Sequence, residues 1–199
     1  MPRRVDHGER REELAAAATR VIVNEGMAAA SVRRISEEAG YSTGVLTRYF
    51  DTKADVILAA VEDAVARFER RLVALTADHR GLALLEASLE ADLPTDAESI
   101  ADTRLWLDVW AAAPTEPRIR AACQELYRAW HHHLRASLDQ AIADGDISPV
   151  ADPGREVDRL VATVDGLSLR ATIDPDTWPP PALRQVLADA LETIGHPAG

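Results

Sequence analysis

Apolar residues recur along most of this chain at intervals of three and four positions, the period of a helix with one buried face. In residues 9–24, Leu14, Ala18 and Val21 share such a face. No segment alternates apolar and polar residues over several positions, as a half-buried strand would. The pattern therefore predicts an all-α protein of about nine helices.

The boundaries of the helices are predicted from residues that favour helix ends. Pro117 stands at a helix start and Gly145 just past a helix end, which is the usual asymmetry of proline and glycine. Thr52 with Asp55, and Thr95 with Glu98, have the spacing of a capping box. These signals predict helices over about 9–24, 32–39, 43–50, 53–78, 82–92, 96–113, 117–144, 153–173 and 180–194.

The second and third predicted helices are too short to be stable alone, because nucleation is costly and few residues repay it. Their joint holds Gly40 for a left-handed turn and Ser42 as a hydroxyl cap. We expect Ile35, Leu46 and Phe50 to pack against the first helix. Residues 31–50 then form a helix-turn-helix, which presents its second helix to the major groove of DNA.

The charge of the chain is distributed unevenly. The net charge is -11, which argues against a protein that coats nucleic acid by bulk electrostatics. Residues 1–53, however, carry nine Lys and Arg against eight Asp and Glu, whereas residues 54–199 carry thirteen against twenty-five. We therefore expect a small DNA-binding domain over residues 1–53, followed by an acidic second domain.

Residues 31–57, SVRRISEEAGYSTGVLTRYFDTKADVI, resemble the DNA-binding signature of the TetR family of transcription regulators. The resemblance implies a homodimeric repressor that leaves double-stranded operator DNA when a small-molecule effector binds. It also implies which residues contact DNA, since phosphate contacts set the register and base contacts set the sequence choice. Those expected near bases are Ser42, Thr43, Gly44 and Thr47, and those expected on the backbone are Ser31, Arg33, Tyr49 and Lys53.

The segment departs from the family pattern at several positions. The family usually has an aromatic residue at Thr47, His or Tyr at Arg48, and commonly Ala and Val at Ser36 and Tyr41. Arg48 could replace the aromatic contact with a charge-assisted phosphate bond or a guanine contact. We therefore add Arg48 to the DNA-binding residues and expect an operator that is not a generic one for the family.

The second domain is expected over residues 54–199, and within it the segment from about Gly81 to Leu191 resembles the branch of choline-responsive repressors of betaine synthesis (BetI). The similarity lies in Leu93-Pro94-Thr95-Asp96, Trp106-Leu107-Asp108-Val109-Trp110 and Asp165-Gly166-Leu167-Ser168-Leu169. It implies a ligand-binding and dimerisation domain whose last two helices pair with their copies across a twofold axis. The apolar residues expected at that interface are Leu160, Val164, Leu167, Leu169, Val186, Leu187, Leu191 and Ile194.

Four of the nine aromatic residues fall on two predicted helices of the second domain. Aromatic walls suit a cationic or flat apolar ligand, and Asp165 or Asp108 could supply an opposing charge. The alternative is that these aromatics only fill the core. As candidate ligand-binding residues we take Trp106, Trp110, Tyr127, Trp130 and Asp165.

Other classes of function find little support in the sequence. Adjacent helix positions point about 100° apart, so His131-His132-His133 is expected to be a solvated face and not a metal site. No catalytic triad or phosphate-binding glycine loop appears, so we expect neither an enzyme nor a cofactor. A run of roughly 20 apolar residues and a secretory signal are both absent, which favours a cytoplasmic protein. An all-helical interaction module without DNA-binding activity remains the alternative.

Overall fold

The computed structural model describes residues 7–194 of the chain. Residues 1–6, at the N-terminus where we found no secretory signal, lie outside the described residues. Within the described range the protein consists of helices and contains no strand, so the all-α prediction is confirmed. The helices are α1 (His7–Glu25), α2 (Val32–Ala39), α3 (Thr43–Leu46), α4 (Lys53–Thr76), α5 (Gly81–Ala91), α6 (Ala97–Ala112), α7 (Pro117–Asp144), α8 (Pro153–Ile173) and α9 (Pro180–Glu192), with a 3-10 turn at Met27–Ala29.

The described chain divides into two compact units. The first unit comprises the described residues up to Arg67 together with Arg104–Cys123. The second unit comprises Phe68–Thr103 together with the described residues from Gln124 onward. The division falls inside α4, α6 and α7, so each of these helices contributes residues to both units. No helix of the described range is long and apolar enough to cross a membrane.

Most of the predicted helix ends are confirmed by the hydrogen bonds at the caps. Gly40 adopts the left-handed conformation, with φ of 73°, directly after α2. At the start of α4, the Thr52 backbone N–H donates to Asp55 Oδ2 at 2.7 Å, and the Asp55 N–H donates to Thr52 Oγ1 at 3.2 Å. This reciprocal pair is the capping box that the sequence predicted.

Two local predictions were wrong. The cap of α6 lies one residue later than Thr95 and Glu98, because the Asp96 carboxylate accepts from the Ser99 N–H at 2.8 Å and Ser99 Oγ accepts from the Asp96 N–H at 3.0 Å. The α-helical part of α3 ends at Leu46, since the Arg48 N–H turns to the Val45 carbonyl in a tighter bond. The segment from Thr47 to Phe50 is therefore a turn and not a helix.

The first unit is organised around the apolar face of α1. Leu14, Ala18 and Val21 of α1 are buried, as are Ile35 of α2 and Leu46 of α3. Phe50 is buried as well, although it lies beyond the end of α3. The core residues predicted for the helix-turn-helix are therefore confirmed.

An ion-pair network joins α1 to α2 on the surface of the first unit. Arg34 Nη2 lies 2.6 Å from Glu25 Oε1 and 3.0 Å from Glu38 Oε2, and Arg20 Nε lies 2.8 Å from Glu38 Oε1. The hydrogen bonds from Arg20 and Arg34 hold the pKa of Glu38 below its usual value. The guanidinium of Arg34 is consequently engaged within the protein.

The core of the second unit is built from α5, α7, α8 and α9. Five of the eight residues expected at a dimer interface lie inside it, because their helix faces pack against neighbouring helices of the same chain. They are Leu160, Val164, Leu167, Leu187 and Ile194. The expectation for these five was wrong, whereas Leu169 is exposed.

Ser36 offers a test of packing within the first unit. Its side chain is buried in α2 and its Oγ has no hydrogen-bond partner. Because an unpaired buried hydroxyl is destabilising, we expect Ser36→Ala to raise the free energy of unfolding by about 1 kcal/mol, measured by urea denaturation.

The matched control is Ser88→Ala, since Ser88 is also buried in a helix but its Oγ lies 3.0 Å from His133 Nε2. We expect this variant to lose about 1 kcal/mol, because its hydrogen bond is broken. Equal effects of the two substitutions would contradict the assignment of Ser36 as unpaired.

Candidate nucleic-acid interface and effector site

The residues predicted to contact DNA lie at the start of α2, on α3, in the turns that flank α3, and at the first residue of α4. Tyr49 is half-buried and the other eight are exposed: Ser31, Arg33, Ser42, Thr43, Gly44, Thr47, Arg48 and Lys53. The apolar residues between them, among them Leu46, point into the core of the first unit. The surface of α3 is thus polar where it meets solvent and anchored where it meets α1 and α2.

The hydroxyl groups of this surface are used in different ways. Ser31 Oγ accepts a hydrogen bond from the Arg34 N–H at 3.2 Å and so caps α2. Ser42 precedes α3 as its N-cap, but its side chain makes no capping hydrogen bond. Thr47 Oγ1 donates to the Gly44 carbonyl at 3.4 Å. The helix itself therefore leaves the Ser42 hydroxyl available to a ligand.

Gly44 lies in the first turn of α3, and the fold does not require a glycine at this position. Its backbone does not adopt a positive φ. A Cβ built on it would meet only Ser42 Oγ, at 4.0 Å, an ordinary contact distance. Since glycine within a helix lowers stability relative to alanine, its presence at an exposed position indicates the close approach of another molecule to the backbone.

Three cations accompany the hydroxyl groups. Arg33 lies 3.8 Å from Glu37, a loose exposed pair that contributes little. Arg48 and Lys53 are exposed at the two ends of the turn that leads into α4. Charge-assisted bonds from such groups are the usual contacts to phosphate oxygens.

Within the first unit, the end of α6 and the start of α7 are fixed to the segments that flank the helix-turn-helix. Asp108 Oδ2 accepts a hydrogen bond from the Met27 N–H at 2.8 Å, and Arg118 Nη2 lies 2.7 Å from Asp55 Oδ1. The Thr52 hydroxyl and then Arg118 hold the pKa of Asp55 at about 2. Asp108 is therefore engaged with the backbone before α2, which argues against our expectation that it supplies charge to a ligand.

The five candidate ligand-binding residues are divided between the units. Trp106 and Trp110 lie on α6 in the first unit, with ring centroids 6.2 Å apart. The Trp110 Nε1 group is buried and has no hydrogen-bond partner. Tyr127, Trp130 and Asp165 lie in the second unit.

Within the second unit, Tyr127 and Asp165 are brought together. The Tyr127 hydroxyl donates to Asp165 Oδ2 at 2.8 Å. Trp130, three residues later on α7, packs edge-on against Phe68 with centroids 5.2 Å apart. Burial raises the pKa of Asp165, and the Tyr127 hydrogen bond opposes that rise.

Asp92 carries a second carboxyl group with a raised pKa, and it was not predicted from the sequence. Asp92 is the residue at which α5 ends, and it is half-buried. Burial and then the charge of Asp165 raise its pKa to about 7, against the opposing effect of Arg71. The signal available in the sequence was an acid at the end of an apolar helix, where helix carbonyls disfavour an anion.

The histidine triplet is not uniformly solvated. His132 is exposed, and His131 Nε2 lies 3.3 Å from Asp158. His133 is half-buried, bonds Ser88 and stacks on Trp130 with centroids 5.3 Å apart. The expectation of a solvated face was wrong for His133, because the turn of α7 places it against the aromatic cluster. Among the described residues, no group of three His, Cys, Asp or Glu side chains is placed to hold a metal ion.

Two family descriptions match separate parts of the chain. Residues 14–60 match "Bacterial regulatory proteins, tetR family", and residues 81–196 match "BetI-type transcriptional repressor, C-terminal". The chain is 31% identical to the HTH-type transcriptional regulator PksA of Bacillus subtilis, with 98% of this chain and 94% of that protein covered. It is 26% identical to the regulator BetI of Serratia proteamaculans, with 82% and 81% covered.

Solved structures with the same fold cover nearly the whole chain. A transcriptional regulator from Rhodococcus superposes with a TM-score of 0.79 at 27% identity, covering 92% of this chain and 95% of that one. A putative transcriptional regulator from Saccharomonospora viridis, solved in complex with choline, gives a TM-score of 0.85 at 24% identity, with 96% and 98% covered. Both extend the similarity of sequence to the arrangement of helices.

The raised pKa of Asp92 predicts a pH dependence of stability. In the unfolded chain the carboxyl group ionises near its usual value of 3.8, whereas in the folded chain it retains its proton up to about pH 7. The folded state therefore binds more protons between these values, and stability falls as pH rises through that range. Asp92→Asn removes the effect, because the amide does not ionise.

We measure the free energy of unfolding of Asp92→Asn and of the natural chain by urea denaturation at two pH values. We expect the difference, variant minus natural chain, to be about 1 to 3 kcal/mol larger at pH 8 than at pH 5. Asp176→Asn, at an exposed position, is the control and should show no such change. An advantage that is the same at both pH values would contradict the assignment.

Proposed function

This chain belongs to the tetR family of bacterial regulatory proteins and is a transcription regulator with a BetI-type C-terminal domain, and we propose that it represses its targets until a small-molecule effector releases it from operator DNA. The observation that carries the DNA-binding half is the exposed polar surface of α3. Gly44 and Ser42 on that surface serve no need of the fold itself. Major-groove recognition supplies a reason for both.

We assign the contacts as follows. Ser42, Thr43, Gly44 and Thr47 face base edges or the phosphates beside them, since the first turn of a recognition helix lies nearest the bases. Ser31, Arg33, Tyr49 and Lys53 hold the phosphate backbone. Arg48, at the end of α3, reaches a phosphate or a guanine. Residues 1–53 are the proposed DNA-binding domain, and residues 54–199 bind the effector and the second subunit.

The effector half of the proposal is supported by the matched C-terminal family and by the side chains of the second unit. Tyr127, Trp130 and Asp165 combine aromatic surface with a buried carboxyl group, the composition of a site for an organic ligand. Trp106 and Trp110 stay proposed ligand-binding residues on α6. The family that matches residues 81–196 is described as a transcriptional repressor. We therefore propose that the effector releases the protein from DNA and does not recruit it to DNA.

A homodimer is proposed because two recognition helices about one DNA turn apart read a palindrome. The face of α8 that carries Ala162, Gly166, Leu169 and Ile173 repeats at the helical period, and Leu169 and Ile173 are 43% and 73% exposed. A Cβ built on Gly166 would meet nothing within 4 Å. This apolar face with a central glycine lets the same helix of a second subunit approach closely.

Coupling between effector and DNA is proposed to run through the helices that contribute to both units. The Asp108 contact with Met27 and the Arg118 contact with Asp55 fix the α6 and α7 segments to the elements before α2 and at the start of α4. An effector that displaces these segments changes the positions of the two recognition helices in the dimer. Effector and DNA then oppose each other through one coupling free energy.

We further propose that the protein has no enzymatic activity and acts in the cytoplasm. Both statements rest on the family, whose members named above are regulators that bind DNA. The alternative is an all-helical interaction module without DNA binding. It does not explain the exposed glycine of α3.

The first test uses Gly44→Ala and a labelled DNA fragment from the region that precedes the gene. The methyl group occupies the space needed for close approach, so we expect at least about 10-fold weaker binding, one factor of ten being about 1.4 kcal/mol. The folded chain should meanwhile gain up to about 1 kcal/mol of stability from the better helix former.

Binding is measured by fluorescence anisotropy at several salt concentrations, because phosphate contacts make affinity fall as salt rises. Arg104→Ala, at an exposed position of α6, controls for loss of a surface cation. A natural chain that binds this fragment no better than an unrelated one, or a Gly44→Ala variant of undiminished affinity, would contradict the proposal.

The second test concerns the dimer and uses Gly166→Leu. Within one chain the added side chain has room, so the fold should be kept, whereas a close helix contact between subunits would be blocked. Sedimentation at micromolar concentration should show a dimer for the natural chain and a monomer for this variant. Gly166→Ala adds only a methyl group and should stay dimeric; a dimeric Gly166→Leu protein would place the interface elsewhere.

A further inference from the structure

Tyr41 links Gly40, which ends α2, to the start of α3. Its backbone N–H donates to the Ser36 carbonyl at 2.9 Å, and the next residue, Ser42, is the N-cap of α3. The TetR pattern commonly has Val at this position. The Tyr41 side chain is half-buried and is not part of the apolar core of the first unit. Its presence therefore needs a reason other than core packing.

The Tyr41 ring carries a cation from α1 on its face. The Arg10 Cζ atom lies 4.3 Å from the centroid of the ring, and the Tyr41 hydroxyl donates to Glu13 Oε2. Both contacts come from one turn of α1, because Arg10 and Glu13 are three positions apart. A guanidinium so close to a ring face is attracted by the ring and held over it.

The first turns of α1 lie beside both ends of α3. Arg10 contacts Tyr41, just before α3, and the Arg11 Cζ atom lies 5.8 Å from the ring centroid of Phe50, just after it. The residues between Tyr41 and Phe50 include the proposed base contacts. Arg10 is therefore close in space to the proposed DNA surface, although it is distant from it in the sequence.

The two neighbouring arginines differ in how their charge is engaged. Arg11 Nη1 lies 2.7 Å from Glu62 Oε2. Arg10 has only a loose pair within its own helix, in which its Nε lies 3.5 Å from Glu13 Oε2. That oxygen already accepts from the Tyr41 hydroxyl. In the part of the chain that the structure describes, the Nη groups of Arg10 have no partner.

We propose that Arg10 is a further phosphate-contacting residue and that Tyr41 positions it, so that α1 binds the DNA backbone beside the first turn of α3. The contact rests on the proposed DNA-binding function. The Nη groups of a guanidinium match phosphate oxygens in charge and geometry. An arginine that is already held over a ring loses less side-chain freedom on binding than a free one.

Glu13 does not cancel this contact. Its pair with Arg10 is exposed on the Glu13 side, where the side chain is 55% accessible, and exposed pairs at this spacing contribute little. The carboxylate also fixes the hydroxyl end of Tyr41, which keeps the ring beneath Arg10. Since phosphate contacts carry no sequence information, Arg10 adds affinity for every DNA sequence alike.

The first experiment measures binding of the full chain to the DNA fragment that precedes its gene, by fluorescence anisotropy over a range of salt concentrations. We expect Arg10→Ala to bind at least about 5-fold more weakly, with a slope of log affinity against log salt that is smaller by about one per subunit. Arg20→Ala is the matched control on α1, because Glu38 already engages Arg20 at 2.8 Å. This control should keep the slope of the natural chain.

The second experiment separates the positioning role of Tyr41 from a general effect on the fold. Tyr41→Val removes the ring and should weaken binding at least about 3-fold, whereas Tyr41→Phe keeps the ring and should stay within about 2-fold of the natural chain. In the Arg10→Ala background, Tyr41→Val should cause no further loss, because the two residues act as one unit. Urea denaturation of each variant checks that the fold is kept.

A salt slope that Arg10→Ala leaves unchanged, or that Arg20→Ala lowers equally, would overturn the phosphate contact. Equal losses from Tyr41→Val with and without Arg10 would overturn the positioning role, since a purely structural effect does not depend on the cation. In both cases salt-dependent binding by the natural chain would leave the proposed function standing. A natural chain that does not bind the fragment would refute the proposed function and this contact with it.

Discussion

The proposed DNA-binding surface depends on the burial of two side chains, Leu46 and Phe50. Helix α3 spans only Thr43–Leu46, far too short to be stable by itself. Leu46 and Phe50 are both buried in the first unit, and Gly40 turns the chain into the start of α3. Packing, and not helix propensity, thus holds the polar face of α3 in a fixed position.

Rigid anchoring of this kind leaves the exposed face of α3 free for recognition. Residues that do not pack are free to serve recognition, and the proposed DNA contacts would account for glycine at position 44 and an uncapped hydroxyl at Ser42. The ion pairs of Arg34 fix the neighbouring helix, so Arg33 and Arg48 are the arginines of residues 31–50 left for phosphate.

Much of the fold could be predicted from the sequence, because helix ends are local. Gly40, Pro117 and the Thr52 and Asp55 pair act over three or four residues, and their interactions were found as expected. The end of α3 could not be predicted, since the tighter turn after Leu46 depends on burial of Phe50. The cap of α6 was misplaced by one residue because Asp96 competes with Thr95 for the same role.

The candidate sites were predictable to different degrees. A DNA-binding surface is one continuous segment, so its exposed residues follow from the helical period once the fold is known. The proposed effector site draws on residues of different helices, since Tyr127 of α7 meets Asp165 of α8 across 38 positions of the chain. Likewise, Leu160 and Leu187 have the same apolar character as interface residues, and only the packing of one chain shows that they belong to its core.

Hydroxyl-radical footprinting of the natural chain on the DNA that precedes its gene tests the central claim most directly. The account predicts symmetric protection with two half-sites about 10 base pairs apart, because two copies of α3 enter successive major grooves on one side of the duplex. Uniform protection along the fragment, or none at concentrations at which the protein is dimeric, would contradict it.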